Sequence, residues 1–314
     1  MRAKRDLRLA GLLTAVVVAM TGCASAVEPQ GVGVHDDVLG YHQSATEQLV
    51  NEDLIEGLGL QTNYVAVGYK HGVASDGSTL HVQHTTSYVD GSYLEREANE
   101  TTGLSIDSYH EAGSDRIYYL FGDEYTEALD IKPWGVLPGA DLDLENSPRS
   151  VCQLSAPNYA CQILRSWNFT SEQLFDDESS ERMPNHVQRN GDGSLLLTTA
   201  VSLSAMTESN MFTFSGSLAE LVTDETLTQL IPAKIWFDRD GVVVKAEVNG
   251  TITSPDSDLT LELQIGYEVT GTADPEEVSV AVNSLDDDYT FELTDQAEID
   301  AFWDDIQAVR LGEY

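Results

Sequence analysis

The stretch from Leu259 to Val269 reads LTLELQIGYEV, and it leaves little choice of secondary structure. Leu259, Leu261, Leu263, Ile265, Tyr267 and Val269 alternate with Thr260, Glu262, Gln264, Gly266 and Glu268. A helix would wind those apolar side chains around its circumference. A strand points successive side chains to opposite faces and gathers them on one. One buried face and one wet face is the pattern of an antiparallel sheet. The stretch closes a longer run, IPAKIWFDRDGVVVKAEVNGTITSPDSDLTLELQIGYEVTG, which reads as three strands joined by short turns. Within it, DRDG (residues 238–241) has the opening of a calcium loop but neither the later ligands nor the closing Glu, so it is read as a hairpin turn.

Strand signals recur on either side. NYVAVGYKHG, STLHVQHTTSYVDG, SYLEREANETTGL, SIDSYHEAG and DRIYYLFGDEYTEAL are short, rich in β-branched and aromatic residues, and separated by Gly, Asp or Ser. LLLTTAVSLS places Leu195, Leu197, Thr199, Val201 and Leu203 on one side, and MFTFSG and DDYTFEL read as further strands. Three segments have helical spacing instead. SATEQLVNEDLIEGLGL carries a capping box at Ser44 and Glu47 and an apolar face of Val50, Leu54 and Leu58. SLAELVTDETLTQL is capped by Ser217 and Glu220. DQAEIDAFWDDIQAV is capped by Asp295 and Glu298 and gathers Ile299, Phe302, Trp303 and Ile306. Residues 132–190 hold prolines at 133, 138, 148, 157 and 184 and are expected to be irregular, with one short helix at FTSEQLFDD. No linker divides the chain after residue 40. The expectation is one α+β domain over residues 41–314: a large, strongly curved antiparallel sheet of about ten strands with two or three amphipathic helices packed on one face.

The N-terminus is of another kind. MRAKRDLRLAGLLTAVVVAMTGCAS has a basic head, an apolar run of roughly a dozen residues and a small-residue end, the layout of a secretory signal. It stops on Met20-Thr21-Gly22-Cys23, which resembles the bacterial lipobox, in which the cysteine receives a diacylglyceryl group and becomes the first mature residue. The expected layout is a leader over residues 1–22, lipid on Cys23 and a flexible tether over residues 23–40. Its place is the extracytoplasmic face of the cell membrane, with the membrane as the partner of that anchor. A plain cleaved signal, with Cys23 lost, is the alternative. In an oxidising compartment the two remaining cysteines, Cys152 and Cys161, are expected to pair.

Charge narrows the partners. There are 16 Lys and Arg against 53 Asp and Glu, a net charge of −37. Loss of the leader removes four basic residues and one acidic residue, which takes the net charge to −40. Such a chain excludes nucleic acid and adhesion to anionic headgroups, both of which need positive surface. High-salt adaptation and plain solubility both account for the acidity. Catalytic patterns are lacking in the sequence: no G-x-S-x-G elbow, P-loop or dinucleotide fingerprint occurs, and no enzymatic activity is expected. His81 and His84 are three apart, on opposite faces of a strand, and His35 and His42 lie in or near the tether. Neither a metal nor a cofactor is expected.

The order of a lipobox, a tether, a helix, many strands, a helix and then PAKIWFDRDGVVVKAEV resembles the LppX/LprG group of actinobacterial lipoproteins and the wider LolA-like fold. In that group a strand of the type P-x-x-[IV]-W-[IV]-D leads into an Asp/Gly turn and a strand that begins with valines. Pro232, Ile235, Trp236, Asp238, Asp240 and Gly241 match it, and DRIYYLFGDEYT looks like the group's earlier hairpin. The resemblance implies a half-barrel with helices across its concave face and an acyl chain or other hydrophobic ligand between them. The candidate ligand-binding residues are Leu261, Leu263, Ile265 and Tyr267, with Trp236 near the mouth. The alternative function is a surface interaction or sensor lipoprotein with a filled core that docks a protein partner through its acidic surface.

Overall fold

The computed structural model describes residues 54–139, 142, 144, 146–176, 185–213, 223–254, 257–278 and 285–312. The leader, Cys23, the tether, the start of the first helix and residues 217–222 lie outside them.

One twelve-stranded sheet organises the fold. Its first half is a meander of β1 (Asn63–Ala74), β2 (Thr79–Val89), β3 (Ser92–Asn99), β4 (Ser105–His110), β5 (Arg116–Phe121) and β6 (Trp134–Pro138). Its second half is a meander of β7 (His186–Arg189), β8 (Leu195–Ser202), β9 (Leu230–Phe237), β10 (Val243–Ser254) and β11 (Ser257–Gly271). The two meanders join where β1 pairs with β11, from Val65 opposite Gly271 to Ala74 opposite Leu261. The last strand, β12 (Thr290–Glu292), adds at the far edge beside β6. The spatial order is therefore β12-β6-β5-β4-β3-β2-β1-β11-β10-β9-β8-β7, an open sheet that does not close into a barrel. All pairings are antiparallel except β12 with β6, which is parallel because the chain reaches that edge by a long return.

Helices follow the expected class but not always the expected places. Leu54–Gly59 (α1) is the described end of the first predicted helix. Asp123–Leu129 (α2) replaces what reads as the second strand of a hairpin in DRIYYLFGDEYTEAL: the strand ends at Phe121, and its antiparallel partner is β6. The largest departure is α3, Ser155–Asp176, which runs through the segment expected to be irregular. Pro157 sits in its first turn, where backbone N–H groups have no intrahelical acceptor and proline is tolerated. Cys152 and Cys161 are paired, as expected, and tie this helix to the 3-10 turn at Pro148–Gln153 before it. Leu203–Glu208 forms α4, Asp224–Leu227 α5 and Pro275–Val278 α6. Met211 and Phe212 are buried in irregular chain after α4, not in a strand. The C-terminal helix α7, Gln296–Leu311, begins at the predicted cap, with the Asp295 carboxylate accepting from the Ala297 and Glu298 N–H groups. The DRDG turn is also as read: the Asp238 side chain accepts from Asp240 and Val242 N–H, and Gly241 takes a positive φ of 84°.

Topology explains the length of α3. The chain leaves β6 near one edge of the sheet and re-enters as β7 at the other edge. A 22-residue helix spans roughly 33 Å, enough to cross about seven strands at their ordinary spacing. It lies against β1, β2, β8, β10 and β11. Its buried side chains, Ala156, Ala160, Ile163, Leu164 and Trp167 among them, join the main core with Leu197, Ile235, Val248, Leu263 and Ile265. Close approach depends on Gly68 in β1, where a Cβ would collide with the Tyr159 ring and with the helix backbone at Ala156. Polar stitches add to the apolar contact. Ser202 N–H donates to the Thr170 hydroxyl, and the Ser166 and Ser209 hydroxyls lie 2.7 Å apart.

A second, smaller core lies under α7. Ile306, Phe302 and Trp303 meet Ile106, Tyr119, Phe121, Tyr125 and Phe291 there. Phe121 and Phe302 are edge-to-face at 5.4 Å, and so are Tyr119 and Trp303 at 5.2 Å.

Candidate functional site

The register of the sheet places the five sequence-predicted ligand residues. Leu261, Leu263, Ile265 and Tyr267 are all buried on the face that α3 covers. Cross-strand pairing continues that face through Val248 opposite Ile265 and Ala246 opposite Tyr267, then through Ala233 and Ile235 of β9. Trp236 alternates with Ile235 and Phe237, so it stands on the opposite face. There it pairs in register with Lys245, whose ammonium sits 5.5 Å from the indole and 2.7 Å from Glu268. The structure therefore brings four of the five together and separates Trp236 from them.

The same face carries two continuous rows across the first meander. One runs Ala66–Thr86–Glu95–Ser108–Tyr119, and the other Gly68–His84–Glu97–Ile106–Phe121. Between them and the helices is a cavity of about 320 Å³. Its floor is Tyr93, Glu95 and Glu97 of β3, Ile106 and Ser108 of β4, and Ile117 and Tyr119 of β5. Leu142 and the turn Gln153–Leu154–Ser155 wall it on one side, and Trp303 and Arg310 of α7 on the other. It thus lies at the seam between the main core and the smaller one. None of Leu261, Leu263, Ile265, Tyr267 or Trp236 lines it.

Two carboxylates dominate this space. Glu95 accepts from the Ser155 N–H, which opens α3, and from the Thr86 hydroxyl at 3.1 Å; its other oxygen faces the Ser108 hydroxyl at 3.5 Å. The Thr86 hydroxyl in turn accepts from Ala156 N–H. Glu95 and Thr86 thereby cap the start of α3 from the sheet, where the positive end of the helix dipole favours a carboxylate. Burial nonetheless raises the Glu95 carboxyl above the ordinary Glu value, against the lowering effect of those hydrogen bonds. Glu97 holds α7 in another way, through a side chain of that helix's last turn. Its Oε2 receives Arg310 Nη2 at 2.6 Å, and Arg310 Nε donates to Tyr125 Oη at 3.0 Å. Burial raises Glu97 as well, with Arg310 opposing. The Tyr119 hydroxyl, beside Glu95, is pushed up to about 12 by burial first and by that carboxylate second.

The histidines sort as expected, on opposite faces of β2. His84 lies inward, 5.6 Å from the Tyr159 ring, and burial holds it near 4, with Arg310 and Lys70 adding to the effect. His81 is on the outer face, in contact with Glu100 at 2.6 Å and with the His71 ring. Among the described residues no three His, Cys, Asp or Glu side chains come together in a way that could hold a metal.

Glu95 and Glu97 were not singled out by sequence. SYLEREAN shows the alternation that puts Tyr93, Glu95 and Glu97 on one side, but two acids on a strand of so acidic a chain read as its wet face. The missed signal is Tyr93: it is buried on the same side as the acids, while on the other side only Leu94 is buried and Arg96 and Ala98 are exposed, so the acids point inward.

No protein-family model and no curated protein sequence matches the chain. Among solved structures, one similar chain is a DUF1329 family protein from Desulfovibrio piger, at 8% identity and a TM-score of 0.21, over 77% of this chain and 97% of that one. A score that low transfers neither fold nor function to this molecule.

Proposed function

We propose that this chain is a lipid-anchored, extracytoplasmic binding protein that holds a small molecule between its sheet and its helices. In this reading the open sheet is a half-barrel, α3 and α7 lie across its concave face, and Cys23 carries the anchor. The cavity between β3–β5 and the two helices is the observation that carries it. Its volume, about 320 Å³, falls at the small end of ligand pockets, and its walls are more polar than apolar, with Glu95, Glu97, Ser108 and Arg310 converging on it beside Ile106, Ile117 and Leu154. The site moves from the face under α3, where the apolar residues are already packed against the helix, to the seam between the two cores. A bound molecule there is compact, with little room for a long acyl chain.

Native mass spectrometry of the full chain, extracted from membranes in mild detergent, tests both parts. The expected result is a diacylglyceryl mass on the mature N-terminus, absent in Cys23→Ala, and a second adduct released by organic solvent. Ser108→Leu, which fills the cavity floor, should abolish that second adduct, while Leu263→Met should retain it. An adduct that persists in Ser108→Leu, or a bare protein mass, overturns the binding reading.

A further inference from the structure

We infer that the cavity selects a small organic amine: a protonated nitrogen on an apolar body. The inference rests on the binding reading above and names its ligand class. The acceptors are already in place. Glu95 Oε1 is occupied by Ser155 N–H and the Thr86 hydroxyl, Oε2 faces the Ser108 hydroxyl at the limit of hydrogen-bond distance, and the Ser155 hydroxyl also bonds this carboxylate; among the described residues every one of these partners is neutral. Glu97 Oε2 is taken by Arg310, and Glu97 Oε1 accepts no hydrogen bond among the described residues. Among the described residues that line the cavity there are thus two carboxylates and one guanidinium, and that guanidinium is committed to Glu97 and Tyr125. A buried carboxylate short of counter-charge is costly, and an ammonium donating to Glu95 would supply it. The burial that raises Glu95 is the same deficit seen from the protein's side.

The walls suit the rest of such a molecule. Tyr119 and Trp303, edge-to-face at 5.2 Å, line the cavity beside the carboxylates, and aromatic rings attract a cation held within about 6 Å of their faces. Ile106, Ile117 and Leu154 offer an apolar surface for the remainder. At longer range the net charge of −37 draws cations to the chain and repels fatty-acid and phosphate anions.

The test is calorimetric titration of the full chain in detergent with three probes of one shape: benzylamine, benzyl alcohol and benzoate. Benzylamine should bind at least ten-fold more tightly than benzyl alcohol, and benzoate should show no heat. Glu95→Gln should remove the amine's advantage and leave the alcohol unchanged. Glu97→Gln, which leaves the cap of α3 intact, should reduce the advantage and guards against a Glu95 variant that fails to fold. Equal binding of amine and alcohol, or tighter binding of benzoate, overturns the amine inference and leaves the cavity reading standing. If no probe binds while the mass-spectrometric adduct is present, the amine inference alone fails. If both are missing, the two readings fail together.

Discussion

The sheet face under α3 and the face under α7 belong to one sheet, yet they are sealed in different ways. Under α3 the middle of the contact is densely apolar, with Ile163, Leu164 and Trp167 pressing on Leu197, Ile235, Leu263 and Ile265, all at most 2% exposed, and the polar groups beside them are buried and hydrogen-bonded. Under α7 a patch of rings is supplemented by charge, with Arg310 clasped by Glu97 and Tyr125, and the cavity lies at its inner border. The difference teaches where a fold of this size keeps space. Dense interdigitation leaves no room for a guest. Along α7, Phe302, Trp303 and the buried Ile306 pack on the rings of the sheet, Arg310 closes the last turn on Glu97 and Tyr125, and Trp303 and Arg310 border the cavity. The cavity lies where the docking of α7 meets that of α3, and each half should respond to mutation in its own way.

The largest effect belongs to the packed half. Leu263→Ala removes a side chain that is 2% exposed, and such truncations cost about 2–5 kcal/mol, including the void left behind. Denaturant unfolding should show this loss, with benzylamine affinity unchanged. Trp303→Ala, from the cavity wall, should cost distinctly less, because its ring is only partly buried and already borders empty space. Equal costs would mean that the two halves are packed alike.

That contrast also marks what the sequence made legible. The period-two run from Leu261 to Tyr267 disclosed its strand, its buried side and its antiparallel pairing, because one physical effect, burial of one face, acted on every second residue. The cap at Asp295 disclosed α7. Helix α3 stayed hidden for two reasons: Pro157 in its first turn looked like a breaker, and Ser166, Thr170 and Ser171 on its buried side broke the apolar stripe. Their hydroxyls are buried because they bond to backbone one turn back or to Ser209 and Ser202, partners that sequence spacing does not reveal. The site was hidden for a related reason. Inward acids on β3 make sense only once α3 and α7 are seen to need anchors, and those helices arrive from 60 and 213 residues away.

Next in size is the disulfide. Cys152 and Cys161 are nine residues apart, and the chain-entropy model assigns a loop that short about 2.5–3 kcal/mol. The double change Cys152→Ser with Cys161→Ser should lower stability by that order in thermal or denaturant unfolding. Because the bond secures the entry to α3, where Ser155 meets Glu95, the same variant should weaken probe binding. Unchanged binding would detach the cavity from the packed half.

Glu95→Ala should follow, at about 1–3 kcal/mol, since it strands the Ser155 N–H and the Thr86 hydroxyl. Glu95→Gln keeps an acceptor and behaves differently with pH. The native carboxyl is raised above its unfolded value, so the native state binds the extra proton. Its stabilising share is complete below the unfolded pKa, near 4.5, and disappears as pH rises through the raised value. The stability of wild type relative to Glu95→Gln should therefore decline from pH 4 towards neutrality. Amine binding runs the other way, because it needs the ionised form. The groups facing Glu95 are Tyr64 of β1, Glu97 of its own strand, Tyr119 of β5 and Arg310 of α7. With both tyrosines raised, neither ionises in that range. Unfolding curves at pH 4, 5.5 and 7 that keep a constant difference would remove Glu95 as the titrating group.

The smallest effect sharpens the comparison most. Arg310 and Glu97 are 36% and 17% exposed, so their contact at 2.6 Å is partly solvated, and pairs of that kind contribute on the order of 1 kcal/mol or less. A double-mutant cycle with Arg310→Met and Glu97→Gln should give a coupling of about that size, falling further in 1 M salt as screening shortens to about 3 Å. Trp303 fluorescence should nevertheless change in Arg310→Met, because loosening one end of α7 moves the ring that walls the cavity. A small energy with a clear local readout is what a partly solvated clasp at the end of a helix produces. A coupling of several kcal/mol with no change at Trp303 would show instead that the end of α7 is as firmly seated as α3.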